Sequence, residues 1–283
     1  MAEKERLSFL ETLNANKIWF ILLALLAGAA YYNIVPSMIA QWYNDENYSH
    51  GFLVPLIAGY FFWQRRKEVM ELKAEPSRLG VYALIFWAVM YILGNYASEY
   101  FTMRSSLIVL LVAVVLLFFG SGILKKLALP IGYLFLMVPI PYIIYDSFAF
   151  PLKLFVTKIS VLSLKLMGII VLREGNIIMF PNIVLEVADA CSGMRSIMSL
   201  LALSVAVAFM GNFSNIKRWI LILSAIPIAI ATNAGRVIAT GILSQFWGAS
   251  AAEGFFHEFA GMAVFGVAMV MLIGLAALLR RIK

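Results

Sequence analysis

The chain is poor in the residues that carry most enzyme chemistry. It has one cysteine, Cys191, and two histidines, His50 and His257, in 283 residues. A single cysteine excludes an internal disulfide, so no covalent crosslink holds the fold. One cysteine and two histidines share no ligand spacing, which argues against a metal centre of the zinc type. No glycine-rich phosphate loop occurs, and Cys191-Ser192-Gly193-Met194 is not the Gly-x-Ser-x-Gly elbow of serine hydrolases. No cofactor is expected. Charge is scarce too: 13% of residues are Asp, Glu, Lys or Arg, about half the share of a soluble domain.

Apolar residues fill the space left, at 63% of the chain. That is far above the roughly half found in soluble domains and predicts an all-α polytopic membrane protein. The net charge of +7 then reads as lysines and arginines kept on the cytoplasmic side, not as a nucleic-acid footprint. Eight runs approach the length of about 20 residues that a span needs: 17–40, 49–64, 79–98, 105–122, 127–146, 191–210, 219–243 and 257–279. The first lacks a small-residue cleavage site and is expected to persist as a helix. No repeat or soluble domain interrupts the runs, so 1–283 is expected to form a single integral membrane domain.

Fifteen basic residues fall between these runs on one side, among them Arg65, Arg66, Lys67, Lys125, Lys126, Lys217 and Arg218. Five fall on the other: Arg104, Lys153, Lys158, Lys165 and Arg173. The bias places both termini in the cytoplasm. The segment 147–190 then lies outside. Its first half is apolar with three lysines, as suits a helix in the membrane interface with its ammonium groups turned outward; a ninth span over 148–172 is the alternative. Its second half has turn signals at Gly175-Asn176 and Pro181-Asn182 and predicts a small hairpin leading to Cys191.

Two arginines, Arg195 and Arg236, remain inside predicted spans, where a charge is costly and therefore informative. Cys191 stands at the outer start of the 191–210 span, and a helix beginning there would put Arg195 one turn on along the same face. Arg236 is seven residues before the outer end of its span, about 10 Å at 1.5 Å per residue. His257 opens the last span on the same side. A thiol, two guanidiniums and an imidazole thus converge on one leaflet. A neighbouring cation, a histidine and a helix start each favour the thiolate, a histidine can protonate a leaving amine, and an arginine can hold an oxyanion or clamp a carboxylate. The expected chemistry is acyl transfer through a thioester. His50 also faces outward and is a second candidate base; Asn233, three residues before Arg236, is placed to orient it or to bridge helices. Plainer readings stand beside these: a lone cysteine is commonly an inert core residue, and Arg195 has Asp189 and Glu186 within reach as structural partners.

Three stretches resemble the exosortase/archaeosortase family. ADACSGMRS around Cys191 is similar to its cysteine motif, IPIAIATNAGRVIATG to its asparagine–arginine motif, and HEFAG to its histidine motif; NYSHGFLVP is similar to a stretch frequent in the bacterial branch. They occur in order over about residues 45–270. Asp189, Met194 and Val237 stand where the family often has glutamate, leucine and isoleucine. The resemblance implies a bacterial inner-membrane cysteine transpeptidase with its site facing the periplasm. Its substrates would be C-terminal tails of exported proteins, built as a Pro-Glu-Pro-like motif, a membrane helix and a basic tail, with the new carboxyl end passed to an acceptor nucleophile. By position, Cys191 would be the nucleophile, with Arg236 and His257 as its partners; Arg195 matches a frequent position, and with Asn233 and His50 it is a candidate for substrate binding or oxyanion support. The competing class is a membrane transporter or a non-catalytic assembly factor for an exported polymer, since intramembrane arginines and broken apolar segments occur there as well.

Overall fold

A computed structural model describes residues 7–181, 183–187, 193–247 and 255–282. The chain is an all-α polytopic membrane protein that divides by contact into two compact units, residues 1–141 and 142–283.

The first unit begins with α1 (Phe9–Ala15) and α2 (Lys17–Tyr31), bent by 77° at Asn16, and continues through α3 (Ile34–Asn44), α4 (Leu53–Glu71), α5 (Leu79–Tyr96), α6 (Tyr100–Phe118) and α7 (Gly120–Tyr133). Helices α5 and α6 form an antiparallel pair. Its turn is fixed by Glu99, whose carboxylate accepts the N–H groups of Phe101 at 3.0 Å and Thr102 at 2.6 Å. Such a cap satisfies donors that a helix start leaves open. Tyr31 joins α2 to this pair: its hydroxyl meets Ser106 Oγ at 2.5 Å and accepts Trp87 Nε1 at 2.8 Å.

The expected run 127–146 is not one helix. A 3-10 turn (Leu134–Met137) follows α7, and Pro139 and Pro141 end it. Proline offers no N–H and cannot continue the ladder. Carbonyls freed at membrane depth need donors from elsewhere, and the stretch Trp42–His50 supplies them. Trp42 Nε1 donates to Met137 O at 2.8 Å, His50 Nε2 to Leu136 O at 3.1 Å, and the Tyr48 hydroxyl to Ile140 O at 3.2 Å.

The second unit holds α8 (Tyr142–Leu166), strands β1 (Leu172–Glu174), β2 (Ile177–Met179) and β3 (Val184–Glu186), then α9 (Met194–Met210), α10 (Asn215–Trp247) and α11 (Phe255–Arg281). Helix α8 begins inside the expected fifth span and takes up the segment read as interfacial. At 25 residues it is long and apolar enough to cross a membrane. Lys153 is buried in it, while Lys158 and Lys165 are exposed, so the three lysines do not share one outward face. The expected hairpin is present and gains a third strand: β1–β2–β3 form an antiparallel meander, turned at Gly175 with φ +61°.

Six helices among the described residues have the length and composition of spans, or seven with the bent α1–α2 pair. The expected eight is therefore not reproduced. The run 49–64 fails because α4 carries Arg65, Arg66, Lys67, Glu68 and Glu71 in its second half, and α9 is short at 17 residues.

Helix α10 packs two apolar faces. Leu221, Ala225 and Ala229 meet α9 and α11 beside Leu200, Ala268 and Leu272. Ala234 and Val237 meet α8 and the sheet beside Val156, Leu164, Ile178, Phe180 and Val187. Small residues let the backbones approach where burial against lipid provides no drive of its own.

The tightest backbone approach in the first unit is at Gly120, which has φ +84° and whose Cβ position is taken by the Glu75 carbonyl. Gly120→Ala is expected to cost about 1–3 kcal/mol from backbone strain alone, read as a clear fall in melting temperature in detergent; an unchanged midpoint would contradict this packing.

Candidate active site

Spacing along α10 decides what faces α9 and α11. Ala225 and Ala229 lie on that face at intervals of four, and the next position in the series is Asn233, with Arg236 one short step beyond. Both polar residues thus continue an apolar stripe already committed to the neighbouring helices. Asn233 is 2% exposed and Arg236 is half-buried.

Each meets a glycine from another segment. Gly193 caps the start of α9 with φ +88°, a left-handed conformation that favours glycine. A Cβ on Gly193 would stand 3.2 Å from Asn233 Nδ2 and 3.4 Å from its Cβ, so the amide lies against the backbone there. On α11, a Cβ on Gly261 would stand 3.7 Å from Arg236 Nη2 and 3.8 Å from both Cζ and Nη1. Those near-equal distances place the guanidinium plane face-on to the glycine. One turn of α10 therefore touches the start of α9 and the first turns of α11.

Cys191 lies outside the described residues, as does Asp189. The described residues that flank it, Val187 and Gly193, are both packed. Val187 is buried among the sheet, α8 and α10, and its N–H donates to Asn176 O at 2.9 Å. Gly193 rests on Asn233. The described helix starts at Met194, three residues later than expected, because the left-handed Gly193 stands at its cap. The i to i+4 relation between Cys191 and Arg195 therefore has no described helix under it. Arg195 is the second residue of α9 and half-buried. Of its two expected structural partners, Glu186 accepts Asn176 Nδ2 at 3.2 Å.

His257 is in the described backbone of α11, one turn before Gly261 and so on the helix face that meets Arg236. The structure thus brings the flank of the cysteine segment, Asn233, Arg236 and the histidine's turn of α11 together in one unit. Sequence reading set the depth of Arg236 by counting from residue 243. The helix continues to Trp247 and has 33 residues, about 50 Å against a core of about 30 Å. The helix is longer than the core is thick and residue 243 is not its outer end, so a count from 243 does not give the depth of Arg236.

His50 belongs to the first unit. It is 7% exposed, and its Nε2–H is committed to Leu136 O. Neighbouring Gly51 has no room for a side chain, since a Cβ there would stand 2.5 Å from the Trp42 indole. The residues Trp42 to Gly51 thus serve the broken end of α7. Sequence reasoning missed this role because the carbonyl that His50 satisfies is 86 residues away.

Taken together, the chain is a multi-pass helical membrane protein with a buried amide–guanidinium turn beside its single-cysteine segment. Comparison with protein families sharpens that class. The profile of the transmembrane exosortases matches residues 42–274, and the chain belongs to that family. No curated protein and no solved structure resembles it closely enough to count as a match.

Burial holds the His50 imidazole below its usual pKa of 6.5, although the Leu136 and Asn47 backbone favours the charged form. The residue lies outside the candidate spans. The unfolded chain takes up this proton near pH 6.5 while the folded chain resists it, so stability is full above that pH and declines below it. The melting midpoint is expected to fall between pH 7.5 and 5.5. The fall should be smaller in His50→Gln, which keeps a donor but cannot charge; equal pH dependence in both proteins would contradict this environment.

Proposed function

We propose that the chain is a membrane-embedded cysteine transpeptidase that cuts a C-terminal sorting signal from exported proteins and passes the new carboxyl end to an acceptor nucleophile. The carrying observation is the Asn233–Arg236 turn, packed on Gly193 beside the cysteine segment and on Gly261 one turn from His257. Family membership supports the same reading.

In this proposal the Cys191 thiolate attacks the scissile carbonyl carbon. The carbonyl oxygen takes the electron pair and is held by Arg236, and Arg195 reads a substrate carboxylate. His257 donates a proton to the leaving nitrogen as the C–N bond breaks and a thioester forms. An acceptor then loses a proton to His257 and attacks the thioester, and Cys191 leaves as thiolate. Asn233 orders the backbone at Gly193 and so positions the thiol. The substrate is a single-span tail carrying a Pro-Glu-Pro-like motif, a membrane helix and basic residues. The enzyme sits in the bacterial inner membrane with both termini in the cytoplasm and the site toward the periplasm. That orientation rests on the eight-run reading of the sequence, which puts fifteen basic residues on one side and five on the other. Nucleic acid has no part in it.

A transporter or assembly factor does not need the thiol. The test is co-expression with a protein bearing such a tail, followed by intact mass of the product. The parent is expected to shorten the tail and leave a mass gain that identifies the acceptor, and Cys191→Ala to leave it whole. An untouched tail with the parent, or equal processing by Cys191→Ala, would sink the proposal.

A further inference from the structure

Among the described residues, strand β3 has a free edge. Antiparallel ladders alternate, so every second residue turns its N–H and C=O to one neighbour and the intervening residues turn theirs away. The register here is fixed by two bonds, Val187 N–H to Asn176 O at 2.9 Å and Phe180 N–H to Ile183 O at 2.8 Å. With Leu185 opposite Ile178, residues 183, 185 and 187 therefore bond inward to β2. Val184 and Glu186 turn their backbone groups outward, and no described residue pairs with those groups. Both residues are exposed, Val184 at 62%. The sheet behind them is firmly placed, with Ile178, Phe180 and Val187 buried against α8 and α10.

This edge lies five residues upstream of Cys191 at its nearest, on the same backbone. A cysteine nucleophile needs an extended, accessible peptide carbonyl. In a substrate that enters as a membrane helix, that carbonyl is bonded within the helix, and local unwinding leaves N–H and C=O groups without partners. At a membrane such groups must find new ones. The outward N–H and C=O of Val184 and Glu186 offer donors and acceptors at the period an extended chain presents.

We propose that the β3 edge receives an extended stretch of the substrate polypeptide as a fourth strand and leads its scissile bond to Cys191. The occupant is the unwound segment beside the cleavage point. The inference rests on the reading of Cys191 as nucleophile and adds how the peptide is held.

Its test separates binding from cleavage. The probe is a fluorescent synthetic peptide with a Pro-Glu-Pro stretch followed by the first turns of a membrane span. Its affinity is measured by anisotropy for the full-length Cys191→Ala protein in detergent. Adding Val184→Pro removes an outward N–H without breaking the sheet, and is expected to weaken binding about tenfold, the effect of one or two lost hydrogen bonds. Arg173→Pro is the matched control: its backbone faces outward on the opposite edge, and affinity should stay within about twofold. Methylating successive non-proline amides of the peptide should weaken binding at every second position, a readout that needs no variant to fold. Absent binding, unchanged affinity in Val184→Pro, an equal loss in Arg173→Pro, or a scan without alternation would each overturn the inference. Binding with the expected alternation, but no cleavage by the parent, would instead remove Cys191 as nucleophile and leave the edge in place.

Discussion

The Asn233 amide and the Arg236 guanidinium, one turn apart on α10, are held by the close approach of two glycines. A polar amide buried to 2% and a half-buried cation are costly in an apolar bundle unless their surroundings are fixed. The fold fixes them by leaving out side chains. Gly193 brings backbone to the amide, and Gly261 lets the guanidinium lie face-on against α11. That geometry depends on the rest of the second unit. The Leu221–Ala225–Ala229 face sets α10 against α9 and α11, and Ala234 with Val237 sets it against α8 and the sheet. Losing either face would rotate the polar turn away from both glycines.

Unsatisfied backbone is the second recurring constraint. In the first unit, Pro139 and Pro141 stop a helix, and side chains of Trp42, Tyr48 and His50 cover the carbonyls left open. In the second unit, β3 keeps outward N–H and C=O groups within a few residues of the cysteine. The same demand for partners that forces the first unit to brace its broken helix gives the second an edge to which an unwound substrate can add. One rule of the membrane thus accounts for a structural motif and for a proposed mode of recognition.

Much of this was legible in the chain. The apolar share defined the class, the Gly175 and Pro181 signals marked the strands, and the odd polar residues 195, 233 and 236 stood out because a span has little tolerance for them. What was not legible depends on distant or cumulative effects. The helix break at Pro139 divides a run that looks continuous by hydropathy. Five charges in the second half of α4 remove a span that its first half suggests. Lys153 is buried where regular lysine spacing predicted an outward face. The bond from His50 to Leu136 could not be seen because its partner lies 86 residues off. The start of α9 was displaced by one glycine, whose left-handed backbone lies against Asn233.

Because Cys191 is the only thiol, its ionisation can be followed without interference. The most direct measurement is the pH dependence of its alkylation rate by a small neutral reagent, in the parent and in His257→Ala and Arg236→Gln proteins. A free cysteine titrates near 8.5, and a neighbouring cation or imidazole lowers that value. The arrangement predicts a midpoint below 8.5 in the parent and a rise toward it in each variant. A parent midpoint at or above 8.5, or one that neither substitution moves, would contradict the claim that this turn of α10 serves the thiol.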